Sequence, residues 1–150
     1  MRGFVRFIGG AAATTFWTGY FPLGPGTVGS IASSAVFYFC PAHIRFPLLP
    51  GILLLAWAGC EAGKRLWGKD PSRVTIDEFA GCWIACLAAP PGWGFWGVFT
   101  AFVLFRIFDI AKPWPVNALD RIESGLGILL DDVAAGIMAA AVIFTVGSLV

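Results

Sequence analysis

Long apolar stretches alternate along this chain with short breaks that contain charges, prolines or glycines. The uncharged stretches lie between Arg6 and Arg45, between Arg45 and Glu61, between Glu78 and Arg106, and after Asp132. Apolar runs of this length are typical of helices that cross a membrane. The pattern therefore predicts a helical membrane protein whose functional polar groups lie in the breaks.

Breaks near the start of the chain define the first helices. Met1 to Tyr20 is too interrupted by glycine for a signal peptide, and we expect it to form an interfacial helix that is retained. Thr27 follows a turn rich in glycine and proline and is a natural N-cap for the first membrane helix. A second helix is expected from about Leu48 through Cys60, extending into a polar segment that reaches Lys69.

The segment Ala89–Gly92 contains two prolines and interrupts the third apolar stretch. Because proline does not continue a helix, it predicts a hairpin of two helices, Val74 to Ala89 and Trp93 to Ile110, each about 24 to 27 Å long at about 1.5 Å per residue. A hairpin brings Asp77 and Asp109 to the same face of the membrane. One continuous helix would place them on opposite faces.

The last apolar stretch follows a second proline break at Pro113–Pro115, after which we expect a short helix in the 114–124 region. Asp131 and Asp132 then open the final membrane helix. The expected fold is all-α, a polytopic membrane helical bundle in a single domain of residues 1–150. It has about five membrane helices, an N-terminal interfacial helix and the short helix.

Composition strengthens the membrane prediction. The chain is 58% hydrophobic and 13% charged, and its mean hydropathy is +0.80, values outside the usual soluble range. The net charge of +1 and the lack of a basic run do not favour binding to nucleic acid. Segment Glu61 to Glu78 carries eight charges and should be a solvated loop, and only Arg45 of the ten basic residues lies on the opposite side. The positive-inside rule then places the polar side in the cytoplasm.

Carboxylates concentrate near predicted helix ends. Two acidic doublets, Asp77 with Glu78 and Asp131 with Asp132, each precede a glycine by a few residues at the entry of an apolar helix. A single acid there is explained by the helix dipole, which contributes about 0.3 to 1 kcal/mol. Two adjacent carboxylates at a membrane helix are costly unless a cation faces them. The doublets therefore indicate a divalent-metal site.

Two further features indicate that an anion binds beside this site. Asp109 and Lys112 are three residues apart and should share one face at a helix end, with Arg106 one turn earlier. The glycines of Gly24–Thr27 precede a helix whose first N–H groups can bind an anion. A simple turn and helix cap explains the Gly24–Thr27 sequence equally well.

Several motifs of this chain occur together: GPGTVGS from Gly24 to Ser30, the spacing of Asp70, Asp77 and Glu78, and FRIFDIAKPWP followed by DR and GxGIxxDDxxAG. This combination resembles the phosphatidylglycerophosphatase A family. The resemblance runs from Pro22 to Ala139. It implies a magnesium-dependent phosphatase of the bacterial inner membrane, which converts the lipid phosphatidylglycerophosphate into phosphatidylglycerol.

The residues suggest roles that fit this resemblance. No histidine, cysteine or aspartyl phosphatase motif is present, which leaves water activated by Mg²⁺ as the nucleophile. One metal with a carboxylate base and two metals remain equally compatible. The expected metal ligands are Asp77, Glu78, Asp109, Asp131 and Asp132, of which Asp77, Asp109 and Asp132 are the expected catalytic carboxylates. The expected phosphate-binding residues are Gly26, Thr27, Arg106 and Lys112, with Asp70 as a possible support.

Two other classes of protein place acids in a membrane. A carboxylate-lined ion transporter has acids at helix ends but needs neither a glycine-rich anion turn nor Lys112. A lipid-phosphate transferase of the CDP-alcohol type also uses magnesium, but its D-G-x2-A-R spacing is missing here. Release of phosphate from a lipid phosphate distinguishes the phosphatase from both.

Overall fold

The computed structural model describes residues 9–15, 17–22, 24–68 and 72–149. Within these ranges every regular element is helical, which confirms the expected all-α class. Two short 3₁₀ turns are Thr18–Tyr20 and Pro91–Trp93. The α-helices are α1 Pro25–Phe39, α2 Ala42–Arg45, α3 Leu49–Trp67, α4 Ile76–Leu87, α5 Gly94–Ala111, α6 Val116–Leu119 and α7 Gly125–Gly147.

Helix α4 lies at the centre of the bundle. It contacts α1, α3, α5 and α7, and its most extensive packing is against α7. Trp83 of α4 is fully buried, stacks near Phe79 and donates its indole N–H to the carbonyl of Arg45 at 3.1 Å. The hydroxyl of Ser33 on α1 donates to the carbonyl of Phe79 at 2.7 Å. These contacts fix α4, and with it the acidic doublet in its first turn.

Two glycines allow α4 and α7 to approach closely. A Cβ atom added at Gly81 would lie 2.5 Å from the carbonyl oxygen of Asp132, and one added at Gly136 would collide with the carbonyl of Gly81. Backbones this close need residues without side chains. The contact places the doublet of Asp131 and Asp132 against the helix that carries the other doublet.

Among the residues that the structure describes, two segments are long and apolar enough to cross a membrane, Pro91–Ala111 and Gly125–Gly147, with 21 and 23 residues. The prediction of about five membrane helices is therefore supported for two. Helix α4 has 12 residues, which gives about 18 Å against a hydrocarbon core of about 30 Å. Exposed apolar side chains on α5, among them Trp96 and Ile110, are consistent with contact to lipid.

The expected hairpin is confirmed, since α4 and α5 begin and end within two residues of the predicted bounds. The short helix α6 falls in the predicted region. The expected extension of the second helix into the polar segment after Cys60 is confirmed, because α3 runs to Trp67 through residues that favour helices, and the loop expected from Glu61 begins only after α3 ends. Residues 9–13 are helical, but the interfacial position of the N-terminal segment is untested, and residues 1–8 and 16 lie outside the described ranges.

Candidate active site

A cavity of about 520 Å³ opens where helix ends meet. The starts of α1 and α4, the end of α5 and the first turns of α7 all contribute to its wall. Eight of the ten predicted site residues line it, namely Gly26, Asp77, Glu78, Arg106, Asp109, Lys112, Asp131 and Asp132. The fold thus gathers residues that are more than a hundred positions apart in the sequence.

Thr27 and Asp70 are the other two predicted residues. Asp70 lies outside the described residues. The expectation that Thr27 caps α1 is wrong, because Gly24 holds the cap position with φ of 61° and Pro25 begins the helix. Proline is favoured at the first helical position, so the helix starts three residues earlier than expected. Thr27 then lies inside the first turn.

Asp77 and both members of the second acidic doublet are buried in the cavity wall. Asp77, Asp131 and Asp132 are only 6%, 7% and 4% exposed. The Oδ1 atom of Asp77 accepts a hydrogen bond of 3.0 Å from the backbone N–H of Glu78, which orients the carboxylate at the start of α4. Asp131 and Asp132 lie in the second turn of α7, since that helix begins at Gly125 and not at the doublet as expected.

Arg106 pairs with Asp109 and lies close to Glu78 of the first doublet. Its Nη1 donates to Oδ2 of Asp109 at 2.5 Å and lies 3.8 Å from Oε1 of Glu78. Two polar atoms of this group, Oε2 of Glu78 and Nε of Arg106, are buried without a hydrogen-bond partner. Buried polar atoms are rarely left unpaired, so these two are candidates for binding a ligand.

The position of Lys112 differs from the predicted one on the same helical face as Asp109. It follows the end of α5 in a left-handed conformation with φ of 43°, and so does not share a helical face with Asp109. Its ammonium contacts Asp120 and also donates to Oδ2 of Asp131 at 3.0 Å. Burial alone would lower the pKa of Lys112, but the hydrogen bonds with Asp120 and Asp131 outweigh it and raise the pKa above its usual range. The cation therefore stays charged and joins the loop after α5 to α7.

Gly26 lies against the carboxylate of Glu78. Any side chain at this position would collide with Oε1 of Glu78. The α1 N-terminus therefore closely approaches the acidic doublet, and a side chain at this position would displace the Glu78 carboxylate. Whether the free N–H groups of this turn bind an anion remains a prediction.

Among the lining residues that the sequence prediction did not assign to the site are Lys64, Asp120 and Ser124. Asp120 belongs to the DR pair of the motif. Its contact with Lys112 depends on the fold, so the sequence does not reveal it. Lys64 was counted only as a loop charge. Its ammonium donates to the carbonyl of Glu123 at 2.5 Å. Ser124 caps α7 by accepting the N–H of Gly127 at 2.9 Å.

The electrostatic balance of the cavity is strongly negative. Among the described lining residues, seven are acidic and three are basic. A phosphate monoester adds further negative charge, about −1.5 to −2 at neutral pH. An anion can enter such a site only with a compensating cation. In the described part of the chain, however, no three acidic, histidine or cysteine side chains are arranged to hold a metal ion as they stand.

Comparisons with known proteins agree on the family. A family model described as Phosphatidylglycerophosphatase A matches residues 11–147. Two proteins named phosphatidylglycerophosphatase A are similar over 140 residues each. The one from Escherichia coli is 34% identical, covering 90% of this chain and 81% of that protein. The one from Haemophilus influenzae is 36% identical, covering 89% and 85%.

A third relative carries a different name. A protein of Bacteroides thetaiotaomicron, provisionally named phosphatidylinositol-3-phosphatase, is 40% identical over 134 residues, covering 83% of this chain and 84% of that protein. No solved structure matches the chain significantly. The family model spans nearly the whole chain, including both acidic doublets. The chain therefore belongs to the phosphatidylglycerophosphatase A family.

Proposed function

We propose that this protein removes the terminal phosphate of phosphatidylglycerophosphate and leaves phosphatidylglycerol and inorganic phosphate, in a reaction that depends on Mg²⁺. Family membership supports the reaction, since two relatives carry it in their names. The observation that carries the proposal is the pair of unpartnered atoms at the cavity. Oε2 of Glu78 is an acceptor that can bind a cation, and Nε of Arg106 is a donor that can bind an anion. Together the two atoms suit a cation and an anion that are bound side by side.

The donor set fits magnesium. Carboxylate oxygens are the ligands that Mg²⁺ prefers, and the negative excess of the cavity requires a cation before phosphate can bind. Asp77, Glu78, Asp109, Asp131 and Asp132 are the residues that would hold it. Bound there, the ion would lower the pKa of a water molecule and neutralise phosphoryl oxygens. Asp109 and Asp131 contact Arg106 and Lys112 in the structure, so ligand binding requires these side chains to adjust.

The protein's cations hold and stabilise the phosphate. Arg106 has donors beyond the one that Asp109 occupies, and its guanidinium is held in place by that ion pair. Lys112 stays protonated and supplies a point charge at the start of α7. Both charges face the oxygens on which negative charge develops during phosphoryl transfer. Gly26 and Thr27 add backbone donors from the start of α1.

The hydrolysis forms a bond from a water oxygen to phosphorus and breaks the bond from phosphorus to the glycerol oxygen. The proton that the attacking water loses passes to a carboxylate, for which Asp77, Asp109 and Asp132 are the candidates, and is then delivered to the leaving glycerol oxygen, which departs as a hydroxyl. Low exposure of Asp77 and Asp132 keeps bulk water away from these groups. Hydrogen bonding from Glu78 N–H orients Asp77 for this role.

The site is proposed to face the cytoplasm, in the inner membrane of a bacterium. Most basic residues lie in the segments at the cavity end of the bundle, and Arg45 lies at the other end, where it contacts the carbonyl of Cys40. This distribution follows the positive-inside rule. The multi-pass arrangement with about five membrane helices belongs to the same proposal.

Phosphate release from phosphatidylglycerophosphate in detergent, with Mg²⁺ and with a chelator, tests the proposal. Release that needs Mg²⁺ and yields phosphatidylglycerol is expected. Absence of release with Mg²⁺ present would contradict it and would favour the carboxylate-lined transporter. Formation or consumption of a cytidine nucleotide without release of phosphate would favour the transferase.

A second substrate deserves a parallel assay because of the Bacteroides relative. In phosphatidylinositol 3-phosphate the phosphate monoester is likewise attached to a polyol, and a phosphodiester joins that polyol to the lipid. Faster release from this lipid than from phosphatidylglycerophosphate, at equal surface concentration, would replace the proposed substrate while keeping the phosphatase site.

A further inference from the structure

Lys64 differs from the other cations of the cavity in what it contacts. Arg106 and Lys112 are each paired with carboxylates. Lys64, in the last turn of α3, donates instead to the neutral backbone carbonyl of Glu123. Of the basic side chains among the described lining residues, Lys64 is therefore the one that contacts no carboxylate. An ammonium has three donors, so two remain for a ligand.

The wall around Lys64 is built and polar. Ser124 and Ser72 line the same cavity. The Oγ of Ser124 accepts a hydrogen bond from the N–H of Gly127, which leaves its own O–H as a donor. Glu61, one turn before Lys64, accepts the N–H of Gly125 at 3.2 Å and fixes the loop against α3. The position of Lys64 relative to Ser124 is therefore set from both sides.

These donors belong to different elements from the catalytic cluster. Arg106 and Lys112 come from α5 and its end, whereas Lys64 comes from α3 and reaches the loop before α7. The cavity thus has a carboxylate-rich region around Arg106 and Lys112, and a second region with Lys64, two serine hydroxyls and Glu123, whose backbone carbonyl Lys64 contacts. The volume of about 520 Å³ is that of a typical small-molecule site.

We propose that Lys64, with the hydroxyls of Ser124 and Ser72, forms a second phosphate subsite that binds the phosphodiester of the lipid headgroup. This rests on the proposed function and adds the substrate class: lipids whose terminal phosphate monoester is joined through a polyol to a phosphodiester. The monoester occupies the region of Arg106 and Lys112. Lys64 is then a specificity residue that takes no part in the bond changes.

Product inhibition separates the two subsites, because phosphatidylglycerol carries only the diester and inorganic phosphate resembles only the monoester. The Lys64→Gln variant is expected to raise the KM for phosphatidylglycerophosphate and the Ki of phosphatidylglycerol by about tenfold, the effect of one charge-assisted hydrogen bond. The Ki of inorganic phosphate and kcat should stay near those of the wild type. Lys64→Arg should restore most of the affinity.

Arg65→Gln is the matched control. It removes the same charge from the same turn of α3, but Arg65 lies outside the cavity lining, exposed and paired with Glu61 at 3.9 Å. No change is expected. An unchanged Ki of phosphatidylglycerol in Lys64→Gln, equal rises in both inhibition constants, or the same rise in Arg65→Gln would each overturn the subsite. Failure of the wild type to release phosphate would instead overturn the proposed function, and this inference with it.

Discussion

Asp109 and Asp131 are held by different cations, although the sequence suggested a single cluster around Asp109 and Lys112. Asp109 contacts Arg106 one turn earlier in its own helix, and Asp131 contacts Lys112 across 19 residues of chain. Local spacing predicts the first pair, because residues three apart are neighbours on a helix. The second pair depends on the left-handed turn at Lys112, which spacing does not reveal.

Replacing Lys112 by alanine tests its role as a phosphate ligand. The KM for the lipid phosphate should rise about tenfold with a smaller change in kcat, because a point charge binds phosphate in the ground state and the transition state alike. Asp120→Asn is the comparison variant, since it weakens the contact with Lys112 while the one with Asp131 keeps the ammonium in place. Its KM should change less. A collapsed kcat with unchanged KM in Lys112→Ala would assign Lys112 to the transition state only.

Helix bounds were most predictable where proline or glycine interrupts the chain. The two prolines of Ala89–Gly92 and the one at Pro113 gave the hairpin and the end of α5 within two residues. Prediction failed where the interruption was ambiguous. Thr27 has the chemistry of a cap, yet Pro25 already starts the helix. For the charged residues after Cys60 the sequence suggested both an extension of the helix and a loop, and α3 continues through them to Trp67 because they are good helix formers.

The packing of α4 on α7 was predictable only in part. The sequence shows a glycine a few residues after each acidic doublet, but it does not indicate that Gly81 and Gly136 would contact each other. That pairing depends on the register between two helices far apart in the sequence. It also explains why the carboxylates of both doublets reach one cavity.

Substituting Gly81 by alanine tests this helix contact. The added Cβ would lie 2.5 Å from the backbone carbonyl of Asp132, and such overpacking typically costs about 1 to 3 kcal/mol. Thermal unfolding in detergent should occur at a lower temperature and activity should fall sharply, because the shift moves Asp132. Gly92→Ala is the control, since a Cβ there meets no atom within 4 Å. Equal behaviour of the two variants would contradict the close contact.

For the molecule in its membrane, the proposal requires the turn at Gly92 and the segment at Ser72 to lie on opposite sides. Both residues are exposed, and Ser72 lines the cavity. In a background without the four free cysteines, a cysteine at Gly92 should react with an impermeant maleimide in intact cells. One at Ser72 should react only after lysis. Labelling of Ser72 in intact cells would place the cavity outside the cytoplasm.

The most direct measurement is phosphate release from phosphatidylglycerophosphate by Asp131→Asn and Asp132→Asn over a range of Mg²⁺ concentrations. Each change keeps the side-chain volume but removes a buried charge from the cavity wall. We expect each variant to lose at least about a hundredfold in rate, to insert and to unfold at a temperature close to that of the wild type. Near-normal rates in both variants at limiting Mg²⁺ would show that the doublet does not bind the metal.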